Sequence, residues 1–88
     1  MRKCRGGKTI PNPETIKDKS DIEKVIASLE EFERMHGTPA VVVKRQNLSF
    51  GSSYDIISME EANRRLGKWE GSETYLKYWP KEFFYQLK

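Results

Sequence analysis

The amino-acid sequence predicts a small α+β domain, and three patterns along the chain lead to this fold class. Apolar residues recur at helical spacing over 20–36, a β-branched run occupies 40–43, and apolar residues alternate with polar ones over 48–56. A chain of 88 residues has room for one such domain. The helical stripe consists of Ile22, Val25, Ile26, Leu29 and Phe32.

The first helix is predicted over residues 20–36. Ser20 followed by Glu23 forms a capping box, in which the Ser hydroxyl accepts a backbone N–H of the first turn and the Glu carboxylate reaches back. Gly37 supplies a left-handed C-terminal cap, and Pro39 prevents the helix from resuming.

Two strands are predicted after this helix. Residues 40–43 are typical of a strand buried on both faces, because all four are apolar and three are β-branched. The polar residues 44–47 are expected to turn the chain. Residues 48–56 then form a second, antiparallel strand, with a bulge or bend at 51–53.

A second helix, a third strand and a terminal helix complete the prediction. Ser58 followed by Glu61 is another capping box and predicts a short helix that ends at Gly67. Residues 74–78 are expected to form the third strand, and Pro80 suits the first position of a terminal helix. The residues expected to dock this last helix are Phe83, Phe84 and Leu87.

The predicted organisation is a flexible basic arm, residues 1–19, followed by a single domain, residues 20–88. The arm contains two glycines and two prolines and too few apolar residues to offset the entropy of ordering it. In the domain, about three antiparallel strands carry two main helices and a short terminal helix on one face. If Thr9 and Ile10 also form a short strand, the order becomes βαββαβ, a ferredoxin-like arrangement.

Composition excludes several functional classes. No run of about 18 apolar residues is present to span a membrane. One cysteine and one histidine cannot supply the four ligands of a Cys/His zinc site, and we expect no cofactor. A single cysteine fits the reducing cytoplasm, and scattered carboxylates with one histidine give no catalytic constellation. We therefore expect a cytoplasmic, non-enzymatic protein.

The charge distribution favours a nucleic-acid partner, DNA or RNA. The chain carries 16 Lys and Arg against 13 Asp and Glu, and four of the basic residues lie in the first eight positions, which leaves 12 basic and 13 acidic residues in the other 80. A basic arm of this kind suits phosphate backbones, because each neutralised phosphate releases counterions. The predicted arm contacts are Arg2, Lys3, Arg5 and Lys8.

A second basic patch on the folded domain would extend this nucleic-acid surface. It forms if the sheet and the second helix bring residues 44–45 near residues 64–68, with an exposed aromatic residue available for base stacking. The residues predicted for it are Lys44, Arg45, Arg64, Arg65, Lys68 and Trp69, and Trp69 is the aromatic residue expected to be most exposed.

The alternative function is a protein-interaction or regulatory module. The first helix carries five acidic residues against two basic ones, and this acidic face could dock a basic protein partner. The residues predicted to contact such a partner are Glu30, Glu31 and Glu33. The aromatic C-terminal region is a second surface that could serve this role.

Overall fold

The computed structural model describes residues 10–49 and 51–88 as three helices and a four-stranded antiparallel sheet, which confirms the predicted α+β class. The strand order across the sheet is β2-β1-β4-β3. In chain order the elements are α1 (Lys19–His36), β1 (Ala40–Asn47), β2 (Gly51–Ser58), α2 (Met59–Arg65), β3 (Trp69–Glu70), β4 (Glu73–Pro80) and α3 (Lys81–Leu87).

Helix α1 ends as predicted but begins one residue earlier. Gly37 adopts a φ of 66°, and its N–H donates to the carbonyl oxygen of Glu33 at 2.7 Å. The N-terminal cap is Asp18, whose carboxylate accepts both the backbone N–H and the hydroxyl of Ser20 at 2.9 Å. Ser20 is therefore not the cap, because a carboxylate two residues earlier already accepts the donors at this end.

Strand β1 lies in the interior of the sheet and is buried on both sides. Residues 40–43 are at most 1 % exposed, as predicted for a strand covered on both faces. Successive residues of a strand point to opposite faces, so both faces of β1 are apolar and each requires a covering helix. Helices α1 and α3 cover one face and α2 covers the other, so the prediction of helices on one face was wrong.

The two faces of the sheet each have a core of their own. We call the face under α1 and α3 the front face and the face under α2 the back face. The front core contains Ile22, Val25, Ile26, Leu29, Ala40, Val42, Trp79 and Phe84. The back core contains Val41, Val43, Ala62 and Tyr75.

Residues 44–47 continue β1 instead of turning. They pair with β2 on one side and with β4 on the other, and these two ladders hold polar residues in an extended conformation. No bulge interrupts the pairing of β1 with β2 at residues 51–53; the irregularity lies in the pairing with β4, at Leu76. On β2, one of the two outer strands, the backbone N–H of Ile56 donates to the Asp55 carboxylate at 2.9 Å.

Strand β4 is longer than predicted, and the end of helix α3 is more exposed than predicted. Strand β4 extends to Pro80, which then caps α3, and it also pairs with the two-residue strand β3, which was not predicted. Phe84 is fully buried, whereas Leu87 is 39 % exposed. Helix α3 is therefore docked by Phe84, with Phe83 half-buried beside the front core, and not by Leu87.

Residues 10–18 lie on the domain, although they belong to the segment predicted as a flexible arm. Ile10 and Ile16 pack against the front core, and Pro13 is buried. The described residues contain no strand before α1, and Thr9 lies outside them. With α1 and α2 on opposite faces, this arrangement differs from the ferredoxin-like alternative.

The first prediction tests the front core at Leu29, which is fully buried. Leu29→Ala should lower the free energy of unfolding by about 3 kcal/mol, because it removes buried methyl groups and leaves a cavity. Leu48→Ala is the matched control: Leu48 is 72 % exposed, and its loss should change stability by less than about 0.5 kcal/mol. Urea unfolding measures both, and equal effects would contradict the assigned core.

Candidate nucleic-acid interface

The predicted arm contacts Arg2, Lys3, Arg5 and Lys8 lie outside the described residues. The described chain starts at Ile10, which packs against the front core. Ile10 therefore lies on the side of the sheet that carries α1.

The second basic patch predicted for the domain is divided between the two faces of the sheet. Lys44 shares the front face with Val42, and Arg45 shares the back face with Val43, because neighbouring residues of a strand point in opposite directions. Lys44 therefore cannot join Arg64 and Arg65, which belong to the back-face helix α2. The single patch expected for these residues does not form.

On the back face, Arg45 is held by acidic and polar side chains of the two neighbouring strands. Its Nη1 lies 3.4 Å from Glu73 Oε1 and 3.8 Å from Asp55 Oδ2. Its Nη2 donates to Ser53 Oγ at 3.3 Å. These contacts follow from the register, which places Ser53 and Tyr75 directly opposite Arg45.

Arg65 lies over Tyr75, with its guanidinium carbon 4.5 Å from the ring centroid. Its Nη1 donates to the Tyr75 hydroxyl at 3.1 Å and to Glu61 at 3.3 Å. Its Nε is 3.1 Å from Glu70 Oε2, but the N–H is not directed at that oxygen, so this contact is an ion pair without a hydrogen bond. Arg64 also pairs with Glu61, at 3.4 Å.

Burial and the partner's charge have opposite effects on the pKa values of Arg65 and Tyr75. Burial raises the pKa of Tyr75, and the nearby Arg65 only partly offsets it. Burial alone would lower the pKa of Arg65, but Tyr75, Glu70 and Glu61 outweigh it and the pKa is raised. Arg65 therefore stays charged and is neutralised within the domain.

The back face consequently has no excess of positive charge for a phosphate backbone. Its three guanidinium groups face four carboxylates, those of Asp55, Glu61, Glu70 and Glu73. Lys68 is exposed in the turn before β3, where its carbonyl oxygen accepts the Thr74 hydroxyl at 2.7 Å. Its ammonium group has no carboxylate within ion-pairing distance among the described residues.

The front face carries a different arrangement, in which two lysines lie directly opposite each other. Lys44 of β1 pairs in register with Lys77 of β4, at the centre of the sheet. Lys77 approaches Glu14 at 3.2 Å and lies 5.1 Å from the centre of the Trp79 ring. Among the described residues, no carboxylate lies within ion-pairing distance of Lys44.

Aromatic and amide side chains surround this lysine pair. Tyr54 of β2 lies directly opposite Lys44 on its other side. The next row of paired residues across the four strands consists of Ser52, Gln46, Thr74 and Trp69. Trp69 is 51 % exposed, in agreement with the prediction that it is accessible. We call this part of the front face, which borders the front core, the open front face. It is defined by Lys44, Gln46, Tyr54, Trp69 and Lys77. Within it Lys44 and Tyr54 are half-buried, and Tyr54 packs against the front core.

Lys77 was not predicted as a site residue, although the sequence contained the signal for it. If residues 44–47 are extended, Lys44 and Lys77 occupy facing positions on adjacent strands. Because residues 44–47 were expected to form a turn, the pairing of Lys44 with Lys77 was not predicted.

The acidic residues predicted for a protein partner are paired within the domain. Glu33 is half-buried: one carboxylate oxygen accepts the Ala40 N–H at 3.0 Å and the other accepts Lys81 Nζ at 2.6 Å. Glu30 accepts the Tyr85 hydroxyl at 2.7 Å, and this bond raises the pKa of Tyr85. Glu31 lies 3.9 Å from Arg34 on the exposed side of α1. Glu33 thus joins α1 to β1 and α3 and is not a free docking residue.

Comparison with protein-family models, with curated proteins and with solved structures finds no match to this chain. In residues 10–49 and 51–88, no helix is both long and apolar enough to cross a membrane. The same part of the chain contains no group of three or more His, Cys, Asp or Glu side chains that could hold a metal ion.

The second prediction concerns Glu33, whose pKa is lowered by the hydrogen bond from Lys81 and, secondarily, by that from Ala40. A carboxylate with a lowered folded-state pKa stabilises the fold above its ordinary pKa and loses this contribution as the pH falls through the folded value. Glu33→Gln should therefore lower Tm at pH 7 and have a smaller effect at pH values below the ordinary 4.5.

Thermal unfolding of wild type and variant between pH 3 and pH 7 measures this difference in Tm. Glu31→Gln removes an exposed carboxylate from the same helix and is the control, with a smaller change expected at pH 7. A Glu33→Gln effect that is equally large at both ends of the pH range would contradict the role assigned to the ionised carboxylate.

Proposed function

We propose that this protein is a non-enzymatic nucleic-acid-associated protein that contacts the phosphate backbone of DNA or RNA. Two parts of the chain supply the contacts: the open front face and the basic residues of positions 1–8. The observation that carries the proposal is the placement of Lys44 directly opposite Lys77 at the centre of the sheet.

A pair of like charges at facing positions of a sheet is destabilising unless an anion lies between them. Glu14 approaches Lys77 from one side, but no described carboxylate approaches Lys44. A phosphate group has several acceptor oxygens and could bind both ammonium groups at once. A bound phosphate would therefore relieve the repulsion between the two ammonium groups, and this favours binding of a polyanion.

The charge of the remaining surface supports the same location. The arginines of the back face are matched by carboxylates, and the outer side of α1 exposes Glu23, Glu30 and Glu31. The acidic side of α1 would repel a phosphate backbone, and the charge-matched back face would not attract one. Among the described residues, the open front face carries the facing lysine pair, and Ile10, the first described residue after the basic segment, packs on the same face of the sheet.

The compartment proposed for this activity is the cytoplasm. The chain contains one cysteine and cannot form a disulfide within itself, which fits a reducing environment. The ligand contacts proposed above need neither a metal ion nor a cofactor, because lysine and arginine bind phosphate directly.

The third prediction concerns the salt dependence of binding to labelled single-stranded and duplex oligonucleotides. Affinity should fall steeply with salt, with a slope of about 0.7 for each phosphate contact to a single strand and about 0.9 for each contact to a duplex. Replacing Arg2, Lys3, Arg5 and Lys8 by alanine should flatten the slope by about 3, and Lys44→Ala by about 0.7, on a single strand. Fluorescence anisotropy titrations at several salt concentrations give these slopes.

The matched control is Lys24→Ala, which removes an exposed lysine from α1 and leaves the sheet intact. Its slope should equal that of the wild type. No binding of any oligonucleotide at about 50 mM salt would refute the proposed function. An equal change of slope in Lys24→Ala and Lys44→Ala would refute the location on the open front face.

A further inference from the structure

We infer that the ligand of the open front face is a single strand of nucleic acid that crosses the sheet between Tyr54 and Trp69, with at least one base stacked on Trp69. This inference rests on the proposed function and specifies the class of nucleic acid. It is carried by the positions of two aromatic residues on either side of the lysine pair.

Trp69 is a large aromatic side chain that the fold leaves uncovered. It is 51 % exposed, whereas the other tryptophan, Trp79, is 4 % exposed within the front core. Strand β3 is only two residues long, and its pairing with β4 places Trp69 beside Thr74 at the edge of the sheet. The core of the domain does not account for a tryptophan at this position, whereas an unpaired base can stack on it.

The lysines lie between the two aromatic residues. Tyr54 is on β2 and Trp69 is on β3, and the strands between them, β1 and β4, carry Lys44 and Lys77. With strands about 4.8 Å apart, the distance across the sheet is about 14 Å, which a segment of a few unpaired nucleotides can span. A chain that crosses here brings its phosphates to the lysines and a base to the exposed Trp69 ring, with the half-buried Tyr54 at the far side of the lysine pair.

A duplex cannot use this surface in the same way. Its bases are stacked on one another and paired, so the Trp69 ring has no free base to contact without an unstacking cost. Gln46 and Ser52, which are hydrogen-bonded to each other in the same row of the sheet as Trp69, also present polar atoms suited to an exposed base edge. A single strand matches both the charge and the aromatic content of the open front face.

The fourth prediction compares one 12-nucleotide sequence as single-stranded DNA, as single-stranded RNA and as a duplex, with the full-length protein. Either single strand should bind more tightly than the duplex. Trp69→Ala should weaken single-strand binding by roughly 5- to 150-fold, which corresponds to one stacked base, and should leave duplex binding unchanged. Trp69→Phe, which keeps an aromatic face, should recover most of the affinity.

Two further measurements separate stacking from a general effect on the fold. Tyr85→Ala removes an exposed aromatic residue from α3 and should leave single-strand affinity unchanged. Stacking should also quench the tryptophan fluorescence of the wild type on binding, and this quenching should be absent from Trp69→Phe, in which only the buried Trp79 remains.

The outcomes distinguish this inference from the proposed function. Absence of binding to all three oligonucleotides overturns both. Salt-dependent binding in which the duplex binds as tightly as the single strands, with no effect of Trp69→Ala, leaves the proposed function standing and overturns the single-strand assignment. If Tyr85→Ala weakens binding as much as Trp69→Ala, the proposed function also stands and the single-strand assignment is overturned.

Discussion

The burial of β1 on both faces is the constraint on which the rest of this structure depends. Residues 40–43 are enclosed by β2 and β4 at their sides and by helices above and below. Burying each of these aliphatic side chains contributes about 1–3 kcal/mol, and the contribution exists only if both faces are covered. The short helix α2 is therefore required, although it has seven residues and would be marginal in isolation.

The alternation of side chains between the two faces of β1 also determines where its charged residues lie. Beyond Val43 the strand continues with polar residues, and its two-residue period sends Lys44 to the front face and Arg45 to the back face. Around Arg45 the neighbouring strands supply carboxylates, whereas around Lys44 they supply Lys77 and Tyr54. One strand thus separates a face whose arginines are paired with carboxylates from a face on which Lys44 has no carboxylate partner among the described residues, and the proposed function rests on this asymmetry.

The sequence was sufficient to predict the elements whose causes are local. The stripe of α1, its end at Gly37 and the cap of α2 at Ser58 depend on residues within a few positions of one another, and the structure contains all three. The extension of β1 through residues 44–47 depends on two partner strands, one of them more than 25 residues away, and polar composition alone favoured a turn.

The candidate site was predictable in its residue types and not in its grouping. Lysine, arginine and an exposed Trp69 were expected, and Trp69 is exposed. Which cations share a face depends on strand parity and on the irregularity at Leu76, and these follow from the register of paired strands. The burial of Glu33 depends on Lys81, which is 48 positions later and was placed beside α1 by the docking of Phe84.

The Asp55 carboxylate on the outer strand has a consequence for how copies of this domain meet. One of its oxygens accepts the backbone N–H of Ile56, and the other faces Arg45. An outer strand of eight residues is a template on which a second chain can add a strand, provided that its backbone donors are free. At Ile56 the strand satisfies its own donor, and the arginine holds the blocking carboxylate in place. A second chain that approached this edge would therefore find no free backbone donor at Ile56.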